Sequence, residues 1–197
     1  MKRLLIFSLV LLSLSVQAQS ITEGRFKVGD DPAWSRKAFD DGAWDTISLS
    51  KTWDDQGYKV SGGFGWYRIH MVIPSSLRKE SAYGDWLILD MGYVDDCDEA
   101  FLNGVKIGSS GTIPPAEYSS QWNKRRIYEI PSGIVDFDKD NVLAVRAYDG
   151  GAPGGFYDTQ ITLLPTTLKD ILKITVTEDG NGGCSAHVLS SASLGGT

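Results

Sequence analysis

The chain has 197 residues, 22% of them charged, with 25 acidic against 19 basic side chains and a net charge of −6. An acidic excess of this size argues against a nucleic-acid partner, and a chain of this length fits one domain with a substantial core. Its two cysteines, Cys97 and Cys184, lie far apart in sequence, as do its two histidines, His70 and His187, and no multi-ligand metal motif or nucleophile elbow is present.

In chain order, Met1-Lys2-Arg3 and the apolar run from Leu4 to Val16 read as a signal peptide, with Val16-Gln17-Ala18 supplying the small residues of a cleavage site. The run is shorter than the ~20 residues that a spanning helix needs, so no membrane span is expected. Removal of residues 1–18 would leave 17 basic against 25 acidic residues, a net charge of −8 on an exported, periplasmic or secreted bacterial chain.

Asp30-Asp31 ahead of Pro32 to Phe39 predicts a capped helical turn or two at the entry of the domain. No other stretch reads as helix. From Gly62 the residues alternate with period two: Tyr67, Ile69, Met71 and Ile73 share one face, Trp66, Arg68, His70 and Val72 the other, and Pro74 ends the strand because it lacks a ladder donor. Trp86 to Met91 forms a second strand with Leu87, Leu89 and Met91 inward. A third, Asp98 to Leu102, turns at Asn103-Gly104, a strong hairpin signal, into Val105-Lys106-Ile107.

Arg126 to Ile130, Asn141 to Tyr148 (Leu143, Val145 and Ala147 on one face) and Ile161 to Leu164 complete the pattern. Short strands separated by Gly, Pro, Asp and Ser clusters predict an antiparallel sandwich or barrel. The domain is expected over 19–165. Residues 166–197 read as a linker or flexible tail, with one further strand available from Leu168 to Thr177 and a Ser/Gly-rich end poor in apolar residues. In an oxidising compartment Cys97 and Cys184 could pair, although no spacing rule brings them together.

Several of these motifs occur as an ordered set. Phe39-Asp40-Asp41-Gly42-Ala43-Trp44, Trp53, Gly65-Trp66-Tyr67-Arg68, Leu87 to Gly92, Asp95-Asp96, Asp98-Glu99, Leu102-Asn103-Gly104 with Ile107-Gly108, and Asn141 to Arg146 with Asp149 and Gly154-Gly155 together resemble the sugar-binding domain of glycoside hydrolase family 2 enzymes. Arg125-Arg126-Ile127-Tyr128 with Ile130-Pro131 is similar to the related module of sialate O-acetylesterases. The resemblance covers roughly residues 26 to 165 and implies an all-β, galactose-binding-domain-like antiparallel jelly-roll β-sandwich. It also implies carbohydrate, an oligo- or polysaccharide, as the partner, and a separate glycoside hydrolase catalytic domain as a second one. The catalytic glutamates of that family belong to a different domain, so the resemblance carries no catalytic residue to this chain. A scaffold domain that binds no sugar, or the N-terminal fragment of a β-galactosidase-like enzyme, is the alternative.

Sugar recognition needs flat apolar faces and planar polar groups. Trp34, Trp53, Trp66, Tyr93, Tyr118, Trp122, Phe156 and Tyr157 sit in or beside predicted loops. Of these, Trp53, Trp66, Tyr93, Trp122 and Phe156, with Asp96, Arg125 and Asp149 near them, form the candidate ligand-binding set, while Trp66, like Trp44 and Trp86, reads more readily as packing. Paired carboxylates suggest glycosidase chemistry, but alternation puts Asp96 and Asp98 on one side and Glu99 on the other, which favours turn formation over catalysis. No cofactor is implied. A structural calcium is the one metal entertained, with Asp30, Asp31, Asp149 and Asp158 as ligands if the first and last strands are neighbours.

Overall fold

A computed structural model describes residues 21–82, 86–151 and 153–167, together with the backbone of 172–178 and 184–190. The leader expected over 1–18, the end beyond Ser190 and the side chain of Cys184 lie outside the described residues. Twelve strands are described: β1 (Glu23–Val28), β2 (Asp45–Ser48), β3 (Gly63–Val72), β4 (Leu87–Val94), β5 (Cys97–Leu102), β6 (Val105–Ser110), β7 (Arg126–Ile130), β8 (Asp140–Asp149), β9 (Phe156–Tyr157), β10 (Thr162–Pro165), β11 (Leu172–Glu178) and β12 (Cys184–Ser190). One short helix, α1 (Ser75–Glu80), follows β3. None of the described helices is long and apolar enough to cross a membrane.

The strands form two antiparallel layers. One sheet runs β2-β1-β3-β8-β5-β6, the other β10-β4-β7 with β9 paired to β4. The chain changes sheet at β3 to β4, back at β4 to β5, again at β6 to β7 and back at β7 to β8, so each layer is completed by strands distant in sequence. This is the jelly-roll sandwich that the resemblance implied. Strands β11 and β12 pair with each other, Leu172 opposite Ser190 and Glu178 opposite Cys184. The first overlaps the strand expected in the tail; the second falls in a stretch read as linker.

The period-two reading locates the core. Tyr67, Ile69, Met71 and Ile73 from the β3 side meet Leu87, Leu89 and Met91 from β4, Ala100 and Leu102 from β5, and Leu143, Val145 and Ala147 from β8 in one buried cluster. At about 1.5 to 3 kcal/mol for each fully buried large apolar side chain, this cluster dominates the stability. The Asn103-Gly104 turn has φ of 51° and 87°, the left-handed pair that a two-residue hairpin requires.

Three elements were not legible. Strands β1 and β2 each bury a single apolar side chain, Phe26 and Ile47, so neither shows alternation. Helix α1 is six residues long and turns only Leu77 inward, too short to display a 3.6-residue period. The entry turn does form, as a 3-10 helix over Pro32–Ser35 whose start is capped by the Asp31 carboxylate accepting from the Ala33 N–H at 2.8 Å.

The outward face predicted for β3 is half wrong. Trp66 and Arg68 are buried, because residues 30–44 fold across that face and add a second cluster of Trp34, Trp44, Trp66 and Ala144. Arg68 fastens this covering segment. Its guanidinium donates to the Asp41 carboxylate at 2.7 Å and to the carbonyls of Trp34 at 2.6 Å, Arg36 at 3.0 Å and Phe39 at 3.0 Å. His70 extends the clasp, its Nε2 lying 3.0 Å from Asp41 and its Nδ1 2.9 Å from Asp140.

Two outcomes follow from the clasp. Arg68→Met removes the guanidinium from Asp41 and from the carbonyls of Trp34, Arg36, Phe39 and Lys37, and should lower the unfolding free energy in urea titrations by about 3 kcal/mol or more. Burial works against a charged His70, yet its bonds to Asp41 and Asp140 hold the folded pKa above the ordinary 6.5. The clasp therefore adds stability below pH 6.5 that is lost as pH rises through the folded value. Thermal unfolding from pH 6 to 8 should show a falling midpoint, with a shallower fall in His70→Gln.

Candidate functional site

Ladder registers bring four connections to one end of the sandwich. Gly63 pairs with Asp149, Cys97 with Tyr148, and Asp98 with Ser110. The loop before β3, the β4–β5 turn, the β6–β7 loop and the β8–β9 loop therefore meet there. Between them lies a cavity of about 430 Å³ lined by Thr52, Asp95, Asp96, Trp122, Pro153 and Tyr157. Its volume is within the range of small-ligand sites.

The β4–β5 turn sets the polar wall. Asp96 has a φ of 57°, which short polar side chains tolerate because they bond locally. Its carboxylate accepts from the Gly150 N–H at 2.7 Å, and its carbonyl accepts from the Gln121 N–H at 2.8 Å. Asp95 is tied by its backbone to Gly155, N to O 2.8 Å. Carboxylate oxygens of Asp95, Asp96 and Asp149 all lie within 4.8 Å of one another.

These three acids are not equivalent. Burial, then the charges of Asp96 and Asp149, push Asp95 up to about 6. Burial opposes the ionisation of Asp96 as well, but hydrogen bonds from Ser120, Tyr118 and the Gly150 N–H outweigh it and hold this carboxyl below the usual range. Of the two, Asp95 is the acid that ionises at the higher pH.

The aromatic wall rests on the β6–β7 loop. Trp122 is 56% exposed, and its carbonyl accepts from the Tyr157 hydroxyl. Tyr157 in turn stacks on Tyr93, ring centroids 5.6 Å apart and 27° between planes. Arg126 holds the loop from beneath. Its Nε meets Asp98 at 2.6 Å, its other nitrogens reach the carbonyls of Gln121, Lys124 and Asp96, and both partners of the ion pair are wholly buried. Tyr128 closes the Asp98 carboxylate with a 2.7 Å bond.

Of the predicted ligand-binding residues, Asp96 and Trp122 line the cavity. Asp149 is buried beside Asp96. Tyr93 supports Tyr157 from behind, and Arg125 lies outside the lining, held by a two-point contact to Asp90 at 3.0 and 2.7 Å. Trp53, Trp66 and Phe156 must be corrected: all three are sealed in the interior and offer no face to a ligand. The β8–β9 loop lies on Trp53 so closely that a β-carbon at Gly154 would overlap the indole, and Trp66 belongs to the second cluster, donating to Asp30 at 3.0 Å.

Asp96 and Asp98 do not share a side, since the left-handed residue breaks the alternation and Asp98 turns inward to Arg126. The proposed calcium set does not assemble either. Asp30 binds Arg146 and Trp66, Asp31 caps the 3-10 helix, and Asp149 clusters instead with Asp95 and Asp96, the described residues whose oxygens have a spacing suited to a hard cation. Cys97 is a buried free thiol donating to the carbonyls of Thr112 and Ser119. Asp95, Thr52 and Pro153 were absent from the predicted set, and Tyr157 was among the loop aromatics but not in that set. The Asp95-Asp96 pair between two strands was the one available signal.

No protein-family model and no curated protein sequence matches the chain. Solved structures do. A β-glucuronidase of Bacteroides uniformis is 25% identical over 82% of this chain and 20% of its own, with a TM-score of 0.56. A glycosyl hydrolase family 2 member of Bacteroides cellulosilyticus is 15% identical, covering 89% and 29%, TM-score 0.57, and a Ruminococcus gnavus β-glucuronidase is 12% identical, covering 89% and 33%, TM-score 0.55.

A pH dependence follows from Asp95. Between its unfolded value near 3.8 and about 6 the folded state holds more protons than the unfolded one, so stability falls as pH rises across that window. Asp95→Asn should flatten this fall and raise the melting temperature at pH 7, measured by differential scanning calorimetry. The chain spans a fifth to a third of the length of the enzymes it matches, and it is similar in structure to a domain-sized part of family 2 glycoside hydrolases.

Proposed function

We propose that the chain is an exported, non-catalytic carbohydrate-binding domain acting with a family 2 type glycoside hydrolase, and that sugar is held in the cavity between Trp122, Tyr157, Asp95 and Asp96. One observation carries this reading. An indole more than half exposed stands beside two carboxylates at the mouth of a ligand-sized cavity, and that pairing matches the two surfaces of a pyranose. The C–H face would lie against an aromatic ring, and hydroxyls would donate to ionised carboxylates, which only accept.

A scaffold role is the second reading, favoured by the small share of each matched enzyme that the chain covers. In that case the domain would support a catalytic module without contacting sugar. The readings separate in isothermal calorimetry with the mature chain and a broad panel of plant and host oligosaccharides. Binding is expected, weakened about tenfold in Trp122→Ala, the scale of a lost aromatic contact. The melting temperature of that variant should stay near the parent value because the side chain is largely in solvent. No heat with any oligosaccharide would leave the scaffold reading in its place.

A further inference from the structure

We infer that the cavity selects against acidic sugars, so that its ligand is a neutral or amine-bearing pyranose and not a uronic acid. The inference rests on the carbohydrate reading above and specifies its substrate class.

Charge at the cavity is one-sided. Among the described residues lining it, the ionisable acids or bases apart from the Tyr157 phenol are Asp95 and Asp96, and Asp149 lies beside them, carboxylate oxygens of all three within 4.8 Å of one another. A bound uronate would need a guanidinium, an ammonium or converging N–H donors. The two arginines at the end of the β6–β7 loop, Arg125 and Arg126, are both committed elsewhere. Arg125 grips Asp90 through Nε and a terminal nitrogen, outside the lining. Arg126 is sealed in its pair with Asp98 and in bonds to three carbonyls. The Gly150 N–H, a backbone donor at this wall, already serves Asp96.

The same arrangement suits hydroxyls and amines. Each carboxylate retains acceptor positions, and vicinal hydroxyls or an ammonium supply donors to match. Burial first, and then the charges of Asp96 and Asp149, raise the pKa of Asp95, so negative charge at the wall is already resisted by these two neighbours. A third carboxylate brought in by a ligand meets the same resistance. At the effective dielectric of a half-open site, repulsion from two carboxylates a few ångströms away corresponds to about tenfold or more in affinity.

Two of the similar structures described above are β-glucuronidases by name; the acidic wall of this cavity suits a different class of sugar.

The test is a glycan array carrying neutral, amine-bearing and uronate-bearing oligosaccharides, probed with the mature chain at pH 7.5 in low salt with a chelator, then calorimetry on the best neutral ligand and its uronate counterpart. The expected result is a uronate affinity at least about tenfold below the neutral one, an amine at least as tight as the neutral sugar, and a ratio that narrows in Asp95→Asn and at 0.5 M salt. Uronate binding equal to or tighter than neutral, or a ratio unchanged in Asp95→Asn, overturns the inference while the carbohydrate reading survives. Absence of binding to every member overturns both, and binding indifferent to Trp122→Ala moves the sugar away from this cavity and removes the inference with it.

Discussion

The buried Arg126–Asp98 pair is the interaction on which the candidate site depends. Its energetic logic is that of any ion pair taken out of water, in which desolvation is offset only when nearly every donor and acceptor is satisfied. Here the satisfaction is structural as well. The guanidinium bonds to Asp98 on β5 and to the carbonyls of Gln121, Lys124 and Asp96. One cation thereby joins the sheet, the β4–β5 turn and the loop bearing Trp122. Neither the acidic wall nor the aromatic wall of the cavity would keep its position without it.

Arg68 solves the same problem at a different place. It gathers Asp41 and the carbonyls of the segment that crosses β3, and so turns an irregular stretch into the cover of a second apolar cluster. Both arginines sit where irregular backbone must be buried, and both supply the donors that such backbone otherwise lacks. A chain with few helices and long connections needs these donors from side chains.

Much of the fold was legible because β3, β4, β5 and β8 each carry an alternating apolar row into the main core, and Asn103-Gly104 is a strong hairpin signal. What escaped was whatever depends on two segments meeting. Trp66 and Arg68 look solvent-facing until residues 30–44 are laid across them. Trp53 and Phe156 look like loop aromatics, yet the glycines at 154 and 155 let the loop close flat on the Trp53 ring, which converts a presumed platform into core. Trp122 was identified correctly as a loop aromatic, since nothing folds over it. Asp95 was left out of the ligand-binding set that included Asp96, because a strand pattern carries no sign of the left-handed residue that swings Asp96 and Asp98 apart.

The thiol of Cys97 gives the loop above it a built-in gauge. It sits at the start of β5, bonded to the carbonyls of Thr112 and Ser119, and burial followed by the charge of Asp96 pushes its pKa up to about 11. The nucleophilic form is therefore scarce at neutral pH, and the sulfur is out of reach of a reagent while the β6–β7 loop is seated. Alkylation at this position proceeds only from conformations in which the loop has lifted. Its rate counts those excursions in the unlabelled, unmutated protein, and a ligand that settles between the loop and the acidic wall would slow the count.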